Sequence, residues 1–261
     1  ELQRSLIAGL ARGEYHLLVG AGFSRGAMGG DNKPLPSASA LAEDLFQTFG
    51  LGQSMDQDAR LQDVYEAALG KRNSSGSTPH GYLAKKFCNC TPSWHGVIFS
   101  VHWKRIWSLN IDDLIERAYQ VNLQDTPNRR LSPHSWRTPY RLPESDELQC
   151  IHLHGYAPQL MSDPSEVVFS IVEYLQASSG PHAWHKVFGD TYLQSPFLVV
   201  GARMRDEYDL AESLRRGNSS FQVSGRPSLI VLEEFSELQR IQAKRWGLIP
   251  VEMTARDFFR S

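Results

Sequence analysis

Residues 16–27 read HLLVGAGFSRGA, a short apolar run that breaks into glycines at 20 and 22 and again at 26. The run predicts a buried strand, and the glycines predict a tight turn at its carboxyl end, where the chain can pass close to a ligand. A dinucleotide fingerprint requires G-x-G-x-x-G and an acidic residue closing the next strand. Gly20 and Gly22 fit, but Arg25 holds the third glycine position and Gly26 comes one residue late. Glu43 and Asp44 lie at about the right distance, yet inside a predicted helix. The strict fingerprint therefore fails. Two readings of the turn stand: a cradle whose N–H groups hold phosphate, or a strand-to-loop turn that needs no ligand.

Working outward, LQRSLIAGLAR (residues 2–12) carries leucines and an isoleucine at helical spacing. SASALAEDLFQTFG reads as a helix capped by Ser37 or Ser39 and stopped by Gly50. Residues 56–70 and 80–88 also read as helical, so about 42–100 forms a helical insert. WKRIWSLNIDDLIERAY runs from strand to helix with Asn110 at the hinge. Residues 124–147, rich in Pro, Arg and Ser, predict a loop over one face. LQCIHLHGYA, PFLVVGARMRDEYDL and PSLIVLEEFSELQRIQAKRWG repeat the pattern of strand into turn, and LIPVEMTARDFF supplies a last strand and helix. Widely spaced strands of this kind predict an α/β fold, a Rossmann-like parallel sheet flanked by helices.

At 261 residues and 41% hydrophobic content the chain can bury its own core. A formal charge of −2 gives no reason to expect a nucleic-acid partner. Cys88, Cys90 and Cys150 make an odd set that suits a reducing compartment, and the CNC spacing is too close for a zinc knuckle, so no metal is expected. No apolar run approaches the ~18–20 residues of a membrane span, so the expectation is a cytoplasmic protein without a membrane partner. The chain opens on Glu1 rather than Met, which reads as a piece of a longer protein.

Three short motifs occur in order at the ends of predicted strands: GAGFS (20–24), NID (110–112) and LHG (153–155). Together they resemble the sirtuin (SIR2) family. The flanks KPLPSASALAEDL, NIDDLIERAY, VVFSIVEY and FLVVGARMRDEYDL are similar to the SIR2-like domains of bacterial antiphage defence proteins. The resemblance runs over about residues 5–255 and implies one SIR2-like catalytic domain across residues 1–261. It implies NAD as substrate, cleaved to nicotinamide and ADP-ribose by an NAD+ glycohydrolase that depletes NAD in abortive infection. The departures weigh against protein deacylation or ADP-ribosyl transfer. Three cysteines cannot build the four-cysteine zinc module, and the late sirtuin motif is GAR at 201–203.

By the same resemblance Asn110 holds the nicotinamide ribose and the attacking water, a task suited to an uncharged amide that both donates and accepts. A helix N-cap before IDDLIE is the competing reading of Asn110. Asp112 corresponds to the residue that recognises the carboxamide, while helix-start solvation would account for both Asp112 and Asp113. His154 is the base candidate beside Gly155. The alternation in HLH turns His152 and His154 to one side of a strand, with His152 read as structural. Gly20, Ala21, Gly22, Phe23 and Ser24 would line the diphosphate and ribose, and Arg25 either pairs with the diphosphate or is a surface arginine. Gly201 would admit the adenosine half, and Glu233 or Glu234 would take its ribose hydroxyls. A sensor that binds NAD or ADP-ribose without cutting is the alternative function. Because a constitutive NAD hydrolase would harm its own cell, control is expected from other domains or subunits of a defence complex. Homo-oligomer assembly that orders the 124–147 loop is a further route to control.

Overall fold

The computed structural model describes residues 2–123, 129–179, 183–202 and 226–260. Seven strands form one parallel sheet: β1 His16–Val19, β2 Ile106–Ser108, β3 Arg130–Ser135, β4 Glu147–His152, β5 Phe197–Val200, β6 Ser228–Leu232 and β7 Leu248–Glu252. Their order is β3-β4-β2-β1-β5-β6-β7, every pair parallel, so the Rossmann-like expectation holds. The chain goes from β1 to its neighbour β2, out to the edge strand β3 and back to β4 between them, then restarts on the other side of β1 with β5. The crevice at the carboxyl ends of β1 and β5 is therefore the topological switch point, where open α/β sheets take their ligands.

The strands are short apolar runs because both faces are covered. Alternate side chains feed two cores. Leu17, Val19, Ile106, Cys150, Leu198 and Val200 join the first, and Leu18, Trp107, Ile151, Phe197 and Val199 join the second. Helices α1 (Leu2–Ala11), α5 (Leu114–Val121) and α9 (Ala255–Arg260) cover the first core, while α7 (Trp184–Gln194) and α8 (Glu237–Arg245) cover the second. Helix α6 spans Ile171–Ser179 before α7.

The helical insert comprises α2 (Ala38–Thr48), α3 (Leu61–Ala68) and α4 (Pro79–Phe87), and begins a few residues ahead of the expected boundary. Ser37 supplies the α2 cap, accepting from the Ala40 N–H at 3.2 Å, and Gly50 follows its end at φ +57°. The insert has its own core of Leu41, Leu45, Tyr65, Leu83 and Phe87. That core also takes Ile111, Ala157 and Val167, which come from the segments that follow β2 and β4. The insert is thereby packed onto the loops that carry two of the motifs.

The predicted loop at 124–147 is corrected. Residues 130–135 are β3, in register with β4 from Arg130 opposite Glu147 to Ser135 opposite His152. Its Pro, Arg and Ser content disguised it, and the structural reason is position: β3 is an edge strand, where a proline such as Pro133 is tolerated. Residues 124–128 lie outside the described residues, so an ordering loop there has no structural counterpart to assess. Arg203 of the GAR motif lies outside them as well. Among the described residues no helix is long and apolar enough to cross a membrane.

Candidate functional site

Strand register brings the motifs to one edge. Val19 pairs with Ser108 and with Val200, Ser108 with His152, and Val200 with Val231. Two residues beyond that row stand Ala21, Asn110, His154, Ala202 and Glu233, so residues from five strand ends crown the same side of the sheet.

The glycines serve first to interlock two turns. Gly20 N–H donates to the Val200 carbonyl at 3.0 Å and Gly22 N–H to the Gly201 carbonyl at 2.8 Å. A Cβ on Gly22 would stand 2.8 Å from the Gly201 Cα, and one on Gly201 (φ +68°) 2.2 Å from the Phe23 nitrogen. The N–H groups of Phe23 and Ser24 close the turn onto the carbonyls of Gly20 and Ala21. The expected cradle of free N–H groups is corrected accordingly: those of Gly20, Gly22, Phe23 and Ser24 are all taken by carbonyls. Phe23 also does not line the crevice with its ring, which is 1% exposed and packs edge-on against Trp94 and His95.

His95 fastens the turn from below. Its Nδ1 accepts from the Ser93 N–H at 3.2 Å, so Nε2 carries the proton and donates to the Phe23 carbonyl at 2.9 Å. Burial pushes its pKa down to about 4, partly opposed by that carbonyl, and the ring is neutral at physiological pH.

Asn110 is the centre of a polar chain. Its Nδ2 donates to the Gly20 carbonyl at 3.1 Å and to Ser24 Oγ at 3.0 Å, and Ser24 Oγ donates onward to Asp112 Oδ2 at 3.0 Å. The GAG and NID motifs are thus joined side chain to side chain. Asn110 is not the helix cap. The N-cap position of α5 is Asp113, and Asp112 Oδ1 accepts from the Leu114 N–H at 3.2 Å just ahead of it. Asp112 is 5% exposed; burial pushes its pKa up to about 6, against the lowering effect of the Ser24 and Leu114 hydrogen bonds.

Asp113, one residue on, is a clamp. Its two oxygens accept from the N–H groups of Asn89 at 2.6 Å and Cys90 at 2.9 Å, and Asn89 adopts φ +58° to make the bend. The CNC segment is therefore a loop pinned to α5. Cys88, Cys90 and Cys150 are all free thiols, with burial raising the pKa of each.

The strand-facing argument for the two histidines is corrected. β4 ends at His152, and His154 lies in the turn beyond it, so alternation does not govern its direction. His154 is half-buried, and its carbonyl accepts from the Val168 N–H at 3.0 Å. Gly155 next to it adopts φ +105°, and a Cβ there would stand 2.2 Å from the Glu166 carbonyl oxygen, so the HG pair needs its glycine. His152 is 0% exposed and bonds both to Asn110 and to Glu116 of α5.

Two further expectations meet each other. Arg25 and Glu233, read separately as diphosphate and ribose contacts, form an ion pair across the ends of β1 and β6, both well exposed. Glu234 is exposed beside them.

A family model described as a SIR2-like domain matches residues 104–251, more than half of the chain. The chain belongs to the SIR2-like family. The match spans the NID and LHG motifs and the late glycine strand, and β1 with its GAG turn completes the same sheet from outside the matched segment. The curated proteins contain no match to this SIR2-like chain.

Sequence reasoning missed Ser108, Glu116 and His95, and took His152 for a core residue without a link to the site. Glu116 had no helix-face signal in common with Asp112, because α5 begins at Leu114 and Asp112 precedes it. Among the described residues, Glu116, Cys150 and His152 also bring a carboxylate, a thiol and an imidazole within 4.8 Å of one another, all buried. These three could hold a metal. The metal-free expectation rested on CNC spacing and did not weigh Cys150 with His152, two positions apart on one strand face.

Proposed function

We propose that this SIR2-like domain is an NAD+ glycohydrolase. Water adds to the C1′ carbon of the nicotinamide ribose as the C–N glycosidic bond breaks. The bonding pair leaves with the nicotinamide nitrogen, which becomes neutral, and the water gives up one proton. The products are nicotinamide, ADP-ribose and a proton. The leaving group needs no acid, so the work of the site is to orient the sugar, hold the water and take the proton.

The observation that carries this reading is the Asn110–Ser24–Asp112 chain beside the β1/β5 crevice. It sets an uncharged donor–acceptor and a buried carboxylate at the sheet edge where a dinucleotide would lie. Asn110 is the catalytic residue for ribose and water, and His154 is the base. Asp112 reaches the pocket through Ser24 and stabilises the positive charge that develops on the ribose. Gly20, Gly22 and Gly201 shape the floor. Depletion of NAD+ in a bacterial defence response, through an assembly with other subunits or copies, is the role that fits this chemistry.

Chromatography of NAD+ incubated with the protein, alone and across a dilution series, tests the reading. Nicotinamide and ADP-ribose should accumulate in equal amounts, with turnover per chain rising on assembly. Intact NAD+ under every condition, with binding retained, would make the domain a sensor instead.

A further inference from the structure

A buried polar row lies beneath Asn110 in the first core. His152 joins two elements through its ring: Nδ1 stands 3.0 Å from the main-chain oxygen of Asn110, and Nε2 stands 3.0 Å from Oε1 of Glu116. A carbonyl oxygen has no proton to give, so Nδ1 carries one and donates it. On the other side of the ring, the Nε2 contact with Glu116 ties His152 to α5. The other groups facing the ring are the Cys150 thiol, with Sγ 3.7 Å from Nε2, and the Tyr156 ring at 4.6 Å between centroids.

The same Asn110 carbonyl accepts from Ser108 Oγ at 3.0 Å, and Ser108 Oγ accepts from the Asn110 N–H at 3.1 Å. Both polar atoms of the Asn110 main chain are thus held from β2 and β4, while its amide is held from the β1 turn. A buried ion pair is a weak source of stability, since well-packed apolar residues commonly replace one at no loss. The pair is better explained by what it aims.

We infer that His152, held by Glu116, is a positioning residue that fixes the direction of Asn110 for cleavage of the glycosidic bond. The inference rests on the proposed glycohydrolase reading. It assigns the HLH motif two tasks: His154 faces the chemistry, and His152 holds the residue that performs it.

Two substitutions divide the ring. In His152→Asn the amide nitrogen falls near the place of Nδ1 and keeps a donor toward Asn110. In His152→Gln it falls near Nε2, keeping the Glu116 contact and losing the Asn110 donor. A misplaced catalytic group costs about 10²-fold, so His152→Gln should lower kcat by roughly that factor. Its KM should stay within about twofold, because positioning acts on the transition state. His152→Asn should restore most of kcat. A pair that only stabilises the fold predicts the opposite order, with Gln the milder change. That order, or equal kcat in folded variants, overturns the inference. If both variants unfold, histidine-selective ¹⁵N NMR of the wild-type protein decides, with Nδ1 of His152 expected to carry a proton. A bare Nδ1 overturns the inference. So does a tightly bound metal ion that Cys150→Ser removes, because Nε2 would then be a ligand. If the wild-type protein leaves NAD+ intact, the proposed function fails, and the ring-nitrogen signals still decide the hold on Asn110.

Discussion

The two halves of the crevice are built differently. At the ends of β1, β2 and β4 the polar groups are fixed: half-buried Asn110 and buried Ser24 and Asp112 form a continuous chain, with His152 and Ser108 below. At the ends of β1 and β6 the candidate contacts are Arg25 and Glu233, exposed and paired with each other. A fixed polar chain gives orientation and a preset electrostatic field, which are worth most in a transition state. An exposed ion pair contributes ~0–1 kcal/mol and separates easily when a ligand arrives. Under the proposed function, chemistry belongs to the first half and adjustable binding to the second.

The largest expected effect tests the chemical half at its base. His154→Ala should lower kcat by about 10²–10⁴-fold, the usual worth of a general base, and a wild-type rate in a folded variant would remove His154 from the mechanism. Asn110→Ala should follow, with a loss of about 10²–10³-fold in kcat and KM little changed, as for removal of one preorganised donor. Equal kcat in that variant and in wild type, measured by nicotinamide release, would break the contrast between the halves.

Asp112 separates activity from stability. Its pKa stands above the ordinary carboxylate range because of burial, so the folded protein binds this proton more tightly than the unfolded chain. Stability from this group is therefore greatest at acid pH and falls as pH rises through about 6, where the carboxylate ionises. Activity should move the other way, rising through the same pH. Asp112→Asn should lower kcat at pH 7.5 yet melt at or above the wild-type temperature, with the gap closing as the pH falls. Melting curves across pH check the sign, and a gap that widens toward acid would refute it.

Gly201→Ala sharpens the comparison from the packing side. A methyl would enter the space of the Phe23 nitrogen at a positive-φ position, and overpacking of this kind costs about 1–3 kcal/mol. Denaturant titration should show that loss, because the interlocked β1 and β5 turns are rigid. The smallest effect belongs to the binding half. Arg25→Ala or Glu233→Ala should raise KM by about fivefold at most, in line with a surface ion pair. A large fall in kcat from either would mean that this half takes part in chemistry.

Much of the fold was legible because local pattern and global architecture agree. Runs such as HLLV and FLVV have no polar break, and a strand with no polar break must be covered on both faces, which a doubly wound parallel sheet supplies. β3 was not legible, because Arg130–Ser135 places a single core residue, Leu131, among polar side chains and a proline. Within the candidate site, the ordered short motifs pointed to Asn110 and Ser24, which the structure brings into contact. The distinct tasks of Asp112 and Asp113 were not, since adjacent identical residues carry no local signal of which backbone donors they will meet. Nor was the pairing of Arg25 with Glu233, 208 positions apart (233 − 25).

The sequence by itself determined that strands would end in glycine turns and helices begin after them, because hydrophobic periodicity and backbone freedom are local properties. Only the tertiary structure decided which turns meet. Strand order put β1 between β2 and β5, register aligned Val19, Ser108, His152 and Val200 in one row, and that row turned separate motifs into neighbours. The hold of His152 on Asn110 arises there, since a hydrogen bond between residues 42 apart exists only once the sheet has brought their strands side by side.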